Sequence, residues 1–291
     1  MSTDLFSILP ADKAETVQNT LTQVFPGIAI NEISILSGGL SGSLVYRVTA
    51  GNNTYTLKLN PPARQGSVLS DALTLASDAG VAPKLYYNDP GQGIVISAFI
   101  DSKPVRAVYS PDQLAIKLAE KIRATHAAVS NGKVTDIFAT VDGLISWFKS
   151  TGKLTGPIFD ECFGLYNQIK EKYPRESADG VFSHNDLNPG NILCDGKDIW
   201  IIDWDVASVN NRYIDLANTA NYFVHTAEDE NLFLETYFGK EPDEQQKACF
   251  YLMRPVCRII YAVMMFQLAF QAKPADFSHD QQMEGMDMAS F

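Results

Sequence analysis

The sequence predicts an α+β chain of two lobes, a small β-rich N-terminal lobe over residues 1–100 and a larger, mostly helical C-terminal lobe over 101–291. Three observations predict it. Between Ile33 and Ile100, short runs of alternating apolar and polar residues recur, broken by glycine and asparagine turns. After Ile100 the apolar residues fall three and four apart, the period of helices. One greasy run, Ile199-Trp200-Ile201-Ile202, interrupts those helices and sits among five aspartates, three asparagines and a histidine in "FSHNDLNPGNILCDGKDIWIIDWD".

Taken in order, residues 12–25 read as a short helix. "ISILSGGLSGSLVYRVTAGNNTYTLKLN" reads as three strands, with Gly38, Gly39 and Gly42 at the first turn and Gly51-Asn52-Asn53 at the second. In "TYTLKL" alternation places Tyr55, Leu57 and Leu59 on one face and Lys58 on the other. A helix near Ser70–Ala79 and strands in "KLYYN" and "GIVISAFI" complete the first lobe. "DSKPV" is a connector, and Ser110-Pro111-Asp112-Gln113 has the form of a capping box with proline at the first helical position. Helical patterns follow to about Val129, over about 140–150 and 157–172, and over about 213–224, 228–238 and 243–272.

Composition narrows the partners. Lys plus Arg number 23 and Asp plus Glu 34, a formal charge of −11 that argues against nucleic acid and anionic membrane. The longest greasy segment, "VCRIIYAVMMFQLAFQ", contains Arg258 and reads as too short to span a bilayer. The four cysteines, Cys162, Cys194, Cys249 and Cys257, lack metal-ligand spacing and read as free thiols, and no signal peptide is evident; together these predict a cytoplasmic protein.

The chemistry concentrates in His-x-Asp-x-x-x-x-Asn, His184 to Asn191, followed by an aspartate ending a buried strand. Phosphoryl transfer needs this set. Asp186 can accept the proton of an attacking hydroxyl, Asn191 can bind a metal ion, and Asp203 can take Mg²⁺ bridging the phosphates of ATP. His184 would orient the loop. The turn containing Gly38, Gly39, Ser41 and Gly42 suits close approach of backbone to phosphates, and Lys58 suits a phosphate contact. Each is weak alone; their order along the chain carries the prediction.

"SHNDLNPGNIL", "IIDWDVAS" and "RYIDLAN", with "GVAPKLYY" and "VISAFIDSKPV", resemble the choline kinase and aminoglycoside phosphotransferase superfamily, over about Ile33 to Asn221. The resemblance implies a two-lobed protein-kinase-like fold, ATP in the interlobe cleft, and adenine held by backbone near Ala98 to Ile100. It implies Asp186 as catalytic base, Asn191 and Asp203 as Mg²⁺ ligands, Lys58 as phosphate contact and Asp215 as the buried support of the catalytic loop. Two departures stand out. The family's glutamate partner of the strand lysine has no counterpart in residues 66–76, where Asp71 is the nearest substitute. A glutamate that choline kinases tend to carry two turns after Asp215 is replaced by Asn221-Tyr222-Phe223.

The acceptor is expected to be a small, cationic alcohol such as choline or ethanolamine, with an aminoglycoside or thiamine-type acceptor as alternative. "HND" leans towards the former, since aminoglycoside kinases more often have glycine at the position of Asn185. Asp205, Tyr222, Tyr251 and Tyr261 are candidate acceptor contacts, although Asp205 could equally cap a turn and aromatics at helical spacing are more often core. His126 reads as packed, and "AEDEN", Ala227–Asn231, as a solvated helix start. Only twelve positions separate Asp203 from Asp215, which leaves no room for a peptide-docking activation segment. A silent, pseudokinase-like binding module would be expected to have lost Asp186, Asn191 or Asp203.

Overall fold

The strand pattern around Lys58 shows how the first unit is built. In β2 (Leu44–Ala50) and β3 (Asn53–Leu59) every second residue, Tyr46, Val48 and Ala50, then Tyr55, Leu57 and Leu59, is buried. That period-two burial puts one sheet face on a core and leaves Lys58 on the other. The computed structural model describes residues 5–36, 43–61, 71–132, 134–174 and 180–272. The expected glycine turn, Gly38, Gly39, Ser41 and Gly42, lies outside the described residues. The chain divides into two compact units, Met1–Pro104 with Leu193–Asp205, and Val105–Ile192 with Val206–Phe291. Leu193–Asp205 thus groups with the N-terminal strands, although in sequence it falls inside the C-terminal lobe.

In the first unit, β1 (Ile30–Leu36), β2, β3, β4 (Leu85–Asp89) and β5 (Ile94–Ala98) form an antiparallel sheet in the order β1-β2-β3-β5-β4. Helix α1 (Ala14–Val24) lays Val17 and Leu21 into one cluster with Tyr46, Val48 and Leu57. Helix α2 (Ala72–Asp78) buries only Ala72 and Ala76 and packs on β4. Gly93, at φ 68°, lies so close to Asn60 that a Cβ there would stand 2.2 Å from the Asn60 carbonyl oxygen; only glycine fits this turn.

The second unit starts with α3 (Val105–Val108) and α4 (Pro111–Ala127), whose capping box joins Ser110 and Gln113 as the sequence predicts. Helices α5 (Ile137–Thr151) and α6 (Pro157–Lys172) follow. Then come β6 (Gly180–Ser183) and β9 (Ser208–Asn211), while β8 (Ile199–Ile201), and β7 (Ile192–Cys194) apart from Ile192, belong to the intervening segment that groups with the first unit. β7 and β8 form one two-stranded sheet, and β6 pairs with β9 antiparallel in another. The strands β6 and β9 have no counterpart among the predicted elements. Helices α7 (Tyr213–Phe223), α8 (Ala227–Phe238) and α9 (Glu244–Ala272) complete the unit, with α4 packed on α8 and α7 on α9.

Helix α9 corrects the expectation of a segment too short to span a bilayer. It is 29 residues long, and an 18-residue window of mean hydropathy 1.4 makes it long and apolar enough to cross one by length and composition. Its buried stripe, including Phe250, Met253, Val256, Val263 and Phe266, nevertheless serves as core against α5, α6 and α7.

Candidate functional site

Carboxylates sit beside the greasy strand β8 because of a buried tryptophan. Ile199 and Ile201 are fully buried, and the backbone N–H of Ile201 donates to the Val81 carbonyl at 2.9 Å, which ties β8 into the first unit. The chain then turns at Asp203, whose φ of 65° lies in the left-handed region. Trp204 is 5% exposed, and its Nε1 donates back to the Ile201 carbonyl at 3.0 Å. With Trp204 anchored inward, Asp203 and Asp205 both reach Lys58.

Lys58 Nζ lies 2.7 Å from Asp203 Oδ1 and 2.9 Å from Asp205 Oδ2. Burial alone would pull the ammonium pKa down, but the two carboxylates outweigh it and hold it above the usual lysine value. Asp71, the nearest acidic substitute the sequence offers on this helix, occupies the N-cap position of α2, and the ion pairs of Lys58 run to Asp203 and Asp205 instead. Ala98 ends β5 opposite Tyr55, its N–H donating to the Lys84 carbonyl at 2.8 Å, and Ile100 follows in irregular chain.

In the second unit, the segment from His184 to Asn191 is held by a fully buried carboxylate. Asp215 Oδ2 accepts from the His184 N–H at 2.8 Å, and Oδ1 accepts from the Asn185 N–H at 2.7 Å. Burial opposes this charge, but hydrogen bonding and charge from His126, with help from His184, hold the carboxyl below the usual aspartate range. His126 Nε2 stands 3.1 Å from Asp215 Oδ2, and its Nδ1 is 2.7 Å from the Tyr237 hydroxyl. His126 is packed, as its place on the α4 stripe predicts, but packed into a polar chain rather than an apolar core.

The loop is further fixed by Asn185 and His184. Asn185 adopts φ 69°, and its side-chain amide donates to the Val206 carbonyl at 2.9 Å and the Ser208 hydroxyl at 2.9 Å. Its amide oxygen accepts from Asn210 at 3.0 Å. The backbone N–H of Asp186 donates to His184 Nδ1 at 3.2 Å, so that nitrogen carries the lone pair. The Asp186 carboxylate is oriented from both sides, with Asn188 Nδ2 at 2.9 Å from Oδ1 and Asn191 Nδ2 at 3.1 Å from Oδ2. Asn191 thereby turns its amide nitrogen to Asp186 and keeps its amide oxygen as a hard donor. That oxygen and the Asp203 carboxylate are of the type Mg²⁺ takes, since this ion binds through one or two protein oxygens plus phosphates and water.

Beside the loop lies an aromatic pair, Tyr222 and Tyr261, packed edge to face at 5.9 Å. The Tyr222 hydroxyl is buried beside Tyr261. Burial first, then Tyr261 and the charge of Asp186, push its pKa above the ordinary tyrosine range, so it remains a donor at neutral pH. Tyr251, the third predicted contact, is engaged elsewhere: its hydroxyl donates to Glu230. Glu230 is 8% exposed and pairs with Arg254 at 2.7 Å, so this part of "AEDEN" is buried and not a solvated face. Arg254 also donates to the carbonyls of Ala220 and Val224, and Arg106 donates to that of Tyr222 at 2.9 Å. Two guanidinium groups thus cap the C-terminal end of α7.

With the carboxylate-paired Lys58, a strand-end aspartate and a tethered His-x-Asp loop described, residues 32–248 match the phosphotransferase enzyme family, APH. The chain belongs to that family. Among solved structures, a choline/ethanolamine kinase family protein from Mesorhizobium loti is similar at TM-score 0.67 and 19% identity, over 90% of this chain and 88% of that one. Spectinomycin phosphotransferase, solved with ADP and spectinomycin, is similar at TM-score 0.67 and 15% identity, over 87% of each chain. The choline kinase LicA of Streptococcus pneumoniae gives 0.65 and 16%, over 91% and 92%. A probable choline kinase 1 of Arabidopsis thaliana is 31% identical over 120 residues, 33% of this chain and 35% of the relative. An uncharacterized protein of Metamycoplasma hominis is 46% identical over 55 residues, 11% of its length, so the chain spans at most about a third of these two curated relatives.

Within this phosphotransferase fold, Asn185 weighs less on acceptor choice than its sequence context suggests. Its left-handed φ is a conformation that glycine adopts freely and asparagine more readily than other residues. "HND" and a glycine-bearing loop are therefore two ways to meet one backbone demand. Sequence reasoning missed Asn188, Glu230 and Arg254; the spacing of Arg254 to Asn221 and Glu230 is tertiary and leaves no local signal.

Proposed function

We propose that this phosphotransferase moves the terminal phosphoryl group of ATP to the hydroxyl of a small acceptor. The observation that carries the proposal is the orientation of Asp186 by Asn188 and Asn191, on a loop anchored by Asp215. A carboxylate so held can accept the hydroxyl proton as the acceptor oxygen forms its bond to phosphorus and the bond to the ADP oxygen breaks. Lys58 would neutralise charge on the nucleotide phosphates. Asp203 and Asn191 would hold Mg²⁺, which when bound supplies charge neutralisation at the transferring group. The nucleotides in related structures, such as the ADP bound to spectinomycin phosphotransferase, support ATP as donor.

For the acceptor, the Tyr222–Tyr261 pair near Asp186 supports a small cationic alcohol of the choline or ethanolamine kind, through ring-face attraction to the charge. The net charge of −11 acts in the same direction. Similarity to both choline kinases and spectinomycin phosphotransferase keeps an aminoglycoside as the second reading. The cysteines, free in this structure, suit a cytoplasmic setting.

The test is ATP turnover with choline, ethanolamine, an aminoglycoside and a neutral polyol. The expected order in kcat/KM places the amino alcohols first and the polyol last. A preference for the polyol removes the cationic acceptor; no turnover with any hydroxyl compound removes phosphotransfer.

A further inference from the structure

We propose that Asp205 is the carboxylate that positions Lys58 for catalysis, doing from the segment after β8 what an acidic residue on α2 is expected to do. This rests on the phosphotransfer reading above. The geometry is specific. Lys58 lies mid-strand, paired in register with Val45 on one side and Val95 on the other, so its backbone is fixed from both edges. Its side chain has four rotatable bonds, and a flexible ammonium must be held to meet phosphate in one place. Helix α2 offers no partner seen with Lys58: its first turn has no acidic residue, and Asp71 at its N-cap and Asp78 at its end are both exposed.

The two carboxylates that do reach Lys58 are not equivalent. Asp203 has the left-handed turn and the strand-end place of the proposed metal ligand. Asp205, two residues on and 2.9 Å from Nζ, is held there by the inward anchoring of Trp204. A metal ion drawing on Asp203 would leave Asp205 as the standing partner of the ammonium. Asp205 is thus a positioning residue: it acts through Lys58 and not on the transferred group.

The test is a double-mutant cycle on purified full-length protein, with ADP binding measured by calorimetry in EDTA and in Mg²⁺. Asp205→Asn is expected to lower kcat roughly 10–100-fold, the scale of a misplaced charge, and Asp205→Glu to restore part of it. In a Lys58→Met background, Asp205→Asn should change kcat by less than about threefold, because its route to the reaction is gone. The gain in ADP affinity on adding Mg²⁺ should survive in Asp205→Asn and fall in Asp203→Asn. Asp71→Ala should be silent in all three measurements. Additive effects of Asp205→Asn and Lys58→Met overturn the proposal, and so does loss of the Mg²⁺-dependent gain in Asp205→Asn, which would make Asp205 a metal ligand. Wild-type protein without turnover would instead defeat the phosphotransfer reading. In that event the same cycle read on urea unfolding decides the pair, and strict additivity there rejects it.

Discussion

Asp215 and His126 meet at 3.1 Å, with side chains 0% and 4% exposed. One stands on α7 and holds the His184–Asn191 loop through two backbone N–H groups; the other stands on α4 and meets Tyr237 on α8 with its second nitrogen. A carboxylate buried this completely needs its lone pairs met, and His126 meets Oδ2 from the side chain.

Replacing His126 with alanine is therefore expected to leave Asp215 short of a donor and to cost about 1.5–3 kcal/mol in urea unfolding. kcat should fall with KM for ATP little changed, since the displaced element is the loop bearing Asp186. Tyr237→Phe, which removes a hydroxyl from the far nitrogen and leaves the His126–Asp215 contact in place, should be milder on both counts. An equal loss from the two variants would show that the chain is not transmitted through Asp215.

The depressed pKa of Asp215 sets a pH window. A carboxyl whose folded pKa lies below its unfolded value of about 3.9 contributes stability that is fully present above that value. That contribution is lost as pH falls through the folded pKa. The difference in urea midpoint between wild type and Asp215→Asn should thus be large at pH 6 and shrink below about pH 4. A constant difference across that range would remove the ionised carboxylate from the account.

At Asn185 the backbone itself is the test. Both Asn185→Gly and Asn185→Ala lose the bonds to Val206, Ser208 and Asn210. Only the alanine variant must also hold a Cβ at φ 69°, a strain of roughly 1–2 kcal/mol. The glycine variant should be the more stable by about that amount in chemical denaturation, and equal stabilities would contradict the backbone argument.

Asp186→Ala should lower kcat by about 10²–10⁴ while ADP affinity stays near wild type, because a general base acts on the acceptor hydroxyl. Single-turnover kinetics and calorimetry together check this. Near-wild-type kcat would take Asp186 out of the role proposed for it.

Most of the helices and N-terminal strands were legible because their burial follows a regular period. Leu114, Leu118 and Ile122 on α4 and Tyr55, Leu57 and Leu59 on β3 are buried as that period requires. The strands β6 and β9 were not legible: they are four residues each, and "SVNN" lacks the β-branched run that marks a strand. The motif residues His184, Asp186 and Asn191 could be read because phosphoryl transfer demands their types at close spacing. The Lys58 partner could not, since Asp205 lies 147 positions away and only the fold brings it near. Glu230 misled for the same reason: a charge in an acidic run looks solvated until Arg254, 24 positions on, is found against it.

Helix α7 has Asp215 in its first turn and Tyr222 in its last, and Arg254 and Arg106 clamp its far end. Seven helical steps separate the two residues, about 10 Å along the axis. Under the proposed function the helix would work as a gauge rod: one end would set where the loop bearing Asp186 stands, and the other where the Tyr222–Tyr261 pair begins. Acceptor length would then be written into a rigid spacing and not into any single contact, and loosening either guanidinium is expected to blur discrimination by size before it slows the chemistry.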